Sequence, residues 1–241
     1  MTRSHIDQLG AIFAATRIVD LSRTMETGMP AWPTQARYAS VLYESYDQGD
    51  ESVHSMVTFS EHSGTHLDAP MHFIKGGATI DELPPDRVIG RLVTIDASHL
   101  GPNEVLPLGF VRQWESEHGE IVAGDIVCFR FGWDEKWDLL SRRQDFLKAW
   151  PGLSEEGARH LADRRVAAVG SDTASLDPAD AEVSSCHLVL LGAGIPLIEN
   201  VANLGELPPF SFGIGLPNKF KGGSGSPIRL LAIVEADRGG L

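Results

Sequence analysis

A single mixed α/β domain is the fold class this chain predicts, and three features carry the prediction. Short apolar runs rich in Val, Ile and Leu recur along its 241 residues, bounded by Gly, Asp and Pro as buried strands are. Fewer segments between them show helical spacing. No linker, repeat or low-complexity tract divides the chain, and its length suits one core.

Taken in order, a helix is expected at residues 4–15, with Ile6, Leu9, Ile12 and Phe13 on one face. Residues 1–16 therefore read as a helical N-terminal segment and 17–241 as the domain. A strand is expected at 17–21. Residues 26–35 contain Gly28, Pro30 and Pro33, so they must be loop, and they carry Trp32. Buried strands are expected at 57–59, 91–96, 125–130, 166–170, 188–191 and 229–234. A helix is expected at 154–163, where Ser154 suits an N-cap and Glu155 and Glu156 oppose the positive end of the helix dipole. Another helix is expected within 105–117.

Composition narrows the partners. With 33 acidic against 20 basic residues the net charge is −13, and no Lys/Arg block appears. Such a chain is poorly suited to nucleic acid or an anionic membrane. No run reaches the roughly 18 apolar residues of a membrane span. The first residues lack the apolar segment of a secretory signal. Cys128 and Cys186 form no C-x-x-C pair and read as buried thiols of a reducing compartment, so a cytoplasmic location is expected.

The densest chemistry lies in His62-Ser-Gly-Thr-His66-Leu-Asp68-Ala-Pro-Met-His72. Three imidazoles and a carboxylate within eleven residues are the donors that Zn²⁺ and Mn²⁺ prefer. Structural zinc usually recruits cysteine, whereas His/Asp sets with open positions are catalytic. Gly64, Thr65 and Pro70 argue for a turn or irregular segment, with Gly64 letting the chain wrap closely around an ion. Cys186-His187-Leu-Val-Leu-Leu offers a second cluster: His187 at the start of an expected strand, and Glu199 twelve residues later after a Gly/Pro turn. Taken alone, Glu199 reads more often as a helix-start carboxylate, and the pair matters only if it folds onto the first cluster.

These residues resemble the H-x-G-T-H-x-D-x-P-x-H motif of the metal-dependent cyclase-like hydrolases, a family that includes bacterial kynurenine formamidase and isatin hydrolase. The resemblance extends from about residue 19 to residue 234. It includes Val19-Asp-Leu-Ser-Arg, Pro30-Ala-Trp-Pro33, Gly124-Asp-Ile-Val-Cys-Phe-Arg-Phe-Gly-Trp133, Gly170-Ser-Asp-Thr-Ala-Ser-Leu-Asp177 and Gly225-Ser-Pro-Ile-Arg229. It implies a swivelling β/β/α barrel-like fold, a divalent ion (Mn²⁺ or Zn²⁺, one or two per chain), and a homodimer or higher homo-oligomer. It also implies that His62, His66 and Asp68 ligate metal, that His187 and Glu199 complete a second or shared position, and that His72 is the acid/base group. The tail from Asn218 to Pro227 departs from compact kynurenine formamidases and resembles other cyclase-like members.

The expected function is a divalent-metal-dependent hydrolase that cleaves an amide or lactam C–N bond of a small aromatic substrate. A bound ion lowers the pKa of water to about 7, so hydroxide is available at neutral pH. His72 moves the proton, and Glu199 ligates or assists. Trp32 and Phe73 offer stacking surfaces, with plain loop and core packing as the alternative. Arg229 is read as a carboxylate clamp or as half of a structural ion pair. A lactone hydrolase and a non-catalytic metal-binding protein remain as alternatives. A serine hydrolase built on Ser171 and Ser175 lacks the G-x-S-x-G elbow. The Gly222-Gly-Ser-Gly225 patch lacks a dinucleotide fingerprint and reads as a flexible loop.

Overall fold

Alternation of side chains along the strands explains the architecture, because the central parallel strands have two apolar faces to bury. The computed structural model describes residues 4–139 and 145–236. Helix α1 (His5–Ala15) leads into β1 (Thr16–Asp20), and a hairpin follows, β2 (Ala39–Glu44) and β3 (His54–Thr58). Next come β4 (His66–Asp68), β5 (Ile89–Asp96), β6 (Val105–Leu106), α2 (Leu108–His118) and β7 (Ile126–Arg130). Then come β8 (Gly152–Leu153), α3 (Glu155–Arg164), β9 (Ala168–Ser171), α4 (Ser185–Gly192), β10 (Leu197–Glu199), β11 (Phe210–Pro217) and β12 (Gly225–Glu235).

The strands pair in the order β12-β11-β5-β7-β9-β10-β4, and β4 returns to β12, closing a seven-stranded barrel. Closure depends on the length of β12. One edge of its 11 residues pairs with β4 at Gly225, Ser226 and Pro227, and with β1 from Leu231 to Glu235. The β5–β7, β7–β9 and β9–β10 pairs are parallel, so each is joined by a crossover, carrying α2, α3 and α4 in turn. Ile126 and Cys128 of β7 point into one core with Leu92, Ala168, Ile198, Leu230 and Ala232, which fills the barrel. Val127 and Phe129 point the other way, into a core shared with Val111 and Trp114 of α2, Leu161 of α3 and Leu190 of α4. Both faces of the parallel strands are thus dry.

Several expectations need correction. Residues 188–191 are not a strand but the body of α4, and His187 lies in its first turn. A four-residue apolar run looks the same in either conformation, so periodicity could not separate them. The strand expected at 57–59 runs from His54 to Thr58 and is exposed, in a hairpin that packs apart from the barrel. The helix expected within 105–117 begins at Leu108, and Val105–Leu106 instead pairs with Gly152–Leu153. His66–Asp68, expected in a turn, is a barrel strand between β10 and β12. The helix at 154–163 is α3, with the Ser154 side chain accepting from the Gly157 N–H. Among the described residues no helix is long and apolar enough to cross a membrane.

Candidate metal centre and cavity

Strand geometry assembles the centre. His66 and Asp68 are two apart on β4 and share one face, while Leu67 between them enters the barrel core. Glu199 stands directly opposite His66 in the antiparallel β10–β4 register, so its carboxylate falls on the same face. His187 arrives from α4, which packs against β10 and the 3₁₀ turn Pro70–His72. His62 precedes β4 and His72 follows it, and their rings stack with centroids 4.0 Å apart. All six residues that the sequence singles out for metal and proton chemistry therefore meet at one place.

Outer partners decide which nitrogen each imidazole offers. His66 Nδ1 lies 2.9 Å from the Gly64 carbonyl, which can only accept, so Nδ1 carries the proton. Its Nε2 faces Asp68 Oδ1 at 3.3 Å and Glu199 Oε2 at 3.4 Å. His187 donates Nδ1–H to Asp177 Oδ2 at 2.6 Å, and its Nε2 faces Glu199 Oε1 at 3.2 Å and Asp68 Oδ2 at 3.6 Å. Ser224 gives its hydroxyl proton to Glu61 at 2.7 Å, so His62 must donate Nε2–H to Ser224 Oγ at 3.0 Å. His62 Nδ1 then meets Asp68 Oδ1 at 2.6 Å, a short hydrogen bond with a proton between the two atoms.

The donors fit a divalent ion. Ligands about 2.0–2.2 Å from a tetrahedral ion stand roughly 3.3–3.5 Å from each other. Four of the imidazole–carboxylate separations, 3.2 to 3.6 Å, match that spacing. Asp68 is 1% exposed, and its Oδ2 receives no hydrogen bond among the described residues. A buried carboxylate oxygen without a donor is costly unless a cation satisfies it. Two groupings lie within ligand reach, His62–Asp68–His72 and His66–Asp68–Glu199.

The carboxylates dominate the electrostatics of the centre. Burial opposes charge on His66, yet bonds to Asp68 and Glu199 raise its pKa to about 10. Burial likewise opposes charge on His187, but Asp177, Asp68 and Glu199 hold its pKa well above the ordinary histidine value. Asp68, despite its burial, is held well below the ordinary range by His187, His62 and His66. His72 differs from its neighbours: burial, with the charges of His62 and His187, lowers its pKa. Its Nε2 is 3.9 Å from Asp68 Oδ2, beyond a hydrogen bond, and its side chain is 28% exposed.

A cavity of about 400 Å³ opens over this centre, and His62, His66, His72, His187 and Glu199 line its floor. Trp32, Phe73, Phe146 and Leu147 form apolar walls, and Ser175, Ser184 and Asn200 add polar atoms. Trp32 and Phe73 thus both face the cavity. Arg229 does not; it bonds Asp20 at 2.6 and 3.0 Å, the structural pairing. Ser171 is buried and bonded to Thr173. The glycine-rich patch is more than a loop: at Gly225 a Cβ would fall 2.6 Å from His62 Cε1, so the bare glycine makes room for that ring.

Sequence reading assigned no role to Asp177, Ser224, Glu61 or Asn200. Asn200, at φ 58°, donates Nδ2–H to the same Gly64 carbonyl at 2.7 Å that orients His66. Asp177 ends the Gly170–Asp177 stretch already marked by resemblance. The signal for the others was absent, since Ser224 and Glu61 are 163 positions apart.

The chain is similar to several known proteins. The family model described as Cyclase matches residues 19–178. Isatin hydrolase of Roseibium aggregatum is 33% identical over 197 residues, covering 74% of this chain and 73% of the relative. Kynurenine formamidase of Erythrobacter litoralis is 27% identical over 217 residues, covering 89% and 93%. The solved structure of isatin hydrolase A from Labrenzia aggregata, bound to benzyl benzoate, superposes with a TM-score of 0.88 at 32% identity, covering 97% of this chain and 100% of that one. With the motif on β4, the closed barrel and a family match spanning most of its length, this chain belongs to the cyclase family.

Proposed function

We propose that this protein is a divalent-metal-dependent hydrolase that opens an amide or lactam C–N bond in a small aromatic substrate. The observation that carries the reading is the division of labour among the imidazoles. His62, His66 and His187 have one nitrogen committed to an outer partner and the other turned to Asp68 or Glu199, while among the described residues the His72 ring has no hydrogen-bonded partner and its Nε2 stands 3.9 Å from Asp68 Oδ2. His62, His66 and Asp68 would hold one Mn²⁺ or Zn²⁺, with His187 and Glu199 completing a second or shared position through Asp68. An ion so held supplies Lewis acidity towards a carbonyl oxygen and water acidified to near neutrality.

The chain's own groups do the rest. Trp32 and Phe73 line the cavity, where their rings would take an aromatic substrate and set its carbonyl over the floor. Phe146 and Leu147 narrow the cavity and displace water. His72, neutral and reaching the cavity, accepts a proton from the nucleophile and returns it to the leaving nitrogen, a step worth about 10²–10⁴-fold. Isatin and N-formylkynurenine, chosen because relatives are named isatin hydrolase and kynurenine formamidase, frame the test. Protein stripped of metal is compared with protein reloaded with Mn²⁺ or Zn²⁺, following absorbance. Metal-dependent turnover of either supports the reading; none of either, with metal bound, refutes the C–N assignment and brings forward a lactone substrate or a non-catalytic role.

We also propose self-association. No residue of α1 is buried, and Ile6, Leu9 and Ile12 are each at least half exposed. The β2–β3 hairpin exposes Val41, Leu42, Tyr43 and Met56, and a lone two-stranded hairpin is marginal in water. A second copy of the chain would cover both. Light scattering should give a dimer or larger, dissociated by Leu9→Glu; a monomeric wild type overturns it.

A further inference from the structure

Which nitrogen His187 turns to the centre depends on a carboxylate ten positions earlier. Asp177 Oδ2 takes the His187 Nδ1–H at 2.6 Å, and Oδ1 takes the Cys186 backbone N–H at 2.7 Å, in the first turn of α4. A carboxylate only accepts, so Nδ1 carries a proton and Nε2 is the nitrogen left to face Glu199 and Asp68. Asp177 is itself locked. The Trp150 indole N–H donates to its carbonyl at 2.8 Å, and its own N–H donates to Ser175 Oγ at 3.1 Å. Gly152 lies so close beneath that a Cβ there would fall 2.7 Å from the Asp177 carbonyl carbon and 2.4 Å from Pro178 N. Trp150 in turn meets Trp32 edge to face, with centroids 6.0 Å apart, so the same indole touches the cavity wall.

We propose that Asp177 is a positioning residue that sets the tautomer and aim of His187 towards a divalent cation, with the Trp150 indole holding Asp177 in register. The inference rests on the metal-hydrolase reading and adds to it a residue outside the cavity lining. Outer carboxylates of this kind usually raise metal affinity about 10–100-fold. An Asp177→Asn side chain keeps the shape but offers an N–H₂ where an acceptor is needed. Its one oxygen cannot serve both the imidazole and the Cys186 N–H.

The test measures Zn²⁺ affinity of the full chain by competition with a chromogenic chelator. It also follows the His187 Nδ1–H resonance of the Zn²⁺-loaded protein by NMR. Asp177→Asn is expected to weaken Zn²⁺ by about 10–100-fold and to move that resonance upfield from its short-bond position. Unchanged affinity with an unchanged resonance overturns the inference and leaves the metal reading intact. A wild type that binds neither Zn²⁺ nor Mn²⁺ overturns both. Should Asp177→Asn fail to fold, Trp150→Phe, which frees the Asp177 carbonyl but keeps its carboxylate, is read the same way. A several-fold loss of Zn²⁺ affinity supports the proposal, and no loss overturns it.

Discussion

Gly225→Ala tests the packing of the centre without reference to any substrate. The added Cβ would sit 2.6 Å from His62 Cε1, 2.9 Å from its Nδ1 and 2.9 Å from the Leu67 carbonyl oxygen. Carbon atoms rest about 3.5–4.0 Å apart, so ring and methyl must separate by roughly 1 Å. The ring has little freedom to yield: Asp68 holds Nδ1, Ser224 holds Nε2, and His72 covers one face. Nor can the backbone retreat easily, because Gly225 and Ser226 pair with Asp68 and Leu67 in the strand that closes the barrel. Overpacking of this kind costs about 1–3 kcal/mol. For a domain of this size each kcal/mol is worth about 2–4 °C, which gives a Tm lower by roughly 2–12 °C. Calorimetry reads the shift, and chelator competition reads the Zn²⁺ affinity that a displaced His62 should weaken. Gly109→Ala is the control: Gly109 lies in α2 with nothing within 4 Å of a Cβ, so it should gain about 0.4–1 kcal/mol. If Gly225→Ala melts with the wild type and binds Zn²⁺ equally well, the fit of His62 against this glycine is wrong.

His72→Ala should lower kcat/KM about 10²–10⁴-fold while Zn²⁺ affinity changes little, since its Nε2 stands 3.9 Å from Asp68; parallel loss of metal would make it a ligand instead. Burial raises the Cys128 thiol to about 12 and the Cys186 thiol still further, so a thiol reagent should label neither until urea unfolds the chain. Burial, with Asp134 adding, pushes Asp172 from 3.8 up to about 7 against the pull of backbone N–H groups. Its folded pKa lies above its unfolded one, so its contribution is full below about pH 4 and is lost as pH rises to about 7. The unfolding free energy of wild type minus that of Asp172→Asn should therefore fall across this window, and a flat difference refutes it.

The chemistry of this protein was legible in one stretch of sequence because the donors are close together there. His62, His66, Asp68 and His72 fall within eleven residues, and no fold is needed to see that such a set suits a metal. The strands at 91–96, 125–130 and 229–234 were legible too, since β-rich runs bounded by Gly, Asp and Pro have few other uses. The capped helix α3 was signalled by Ser154 and the two glutamates after it. What stayed hidden depended on contacts across long sequence separations. Residues 188–191 became helix because α4 packs as the β9–β10 crossover, a constraint set by neighbours and absent from four apolar letters. Closure of the barrel rests on β12 meeting β4 and β1 along the same edge, more than 150 positions away. The tautomers of the three committed imidazoles were decided by Gly64, Asp177 and the Ser224–Glu61 pair. Sequence states which donors exist; only the tertiary contacts settle which nitrogen carries the proton, because a proton goes wherever folding places an acceptor.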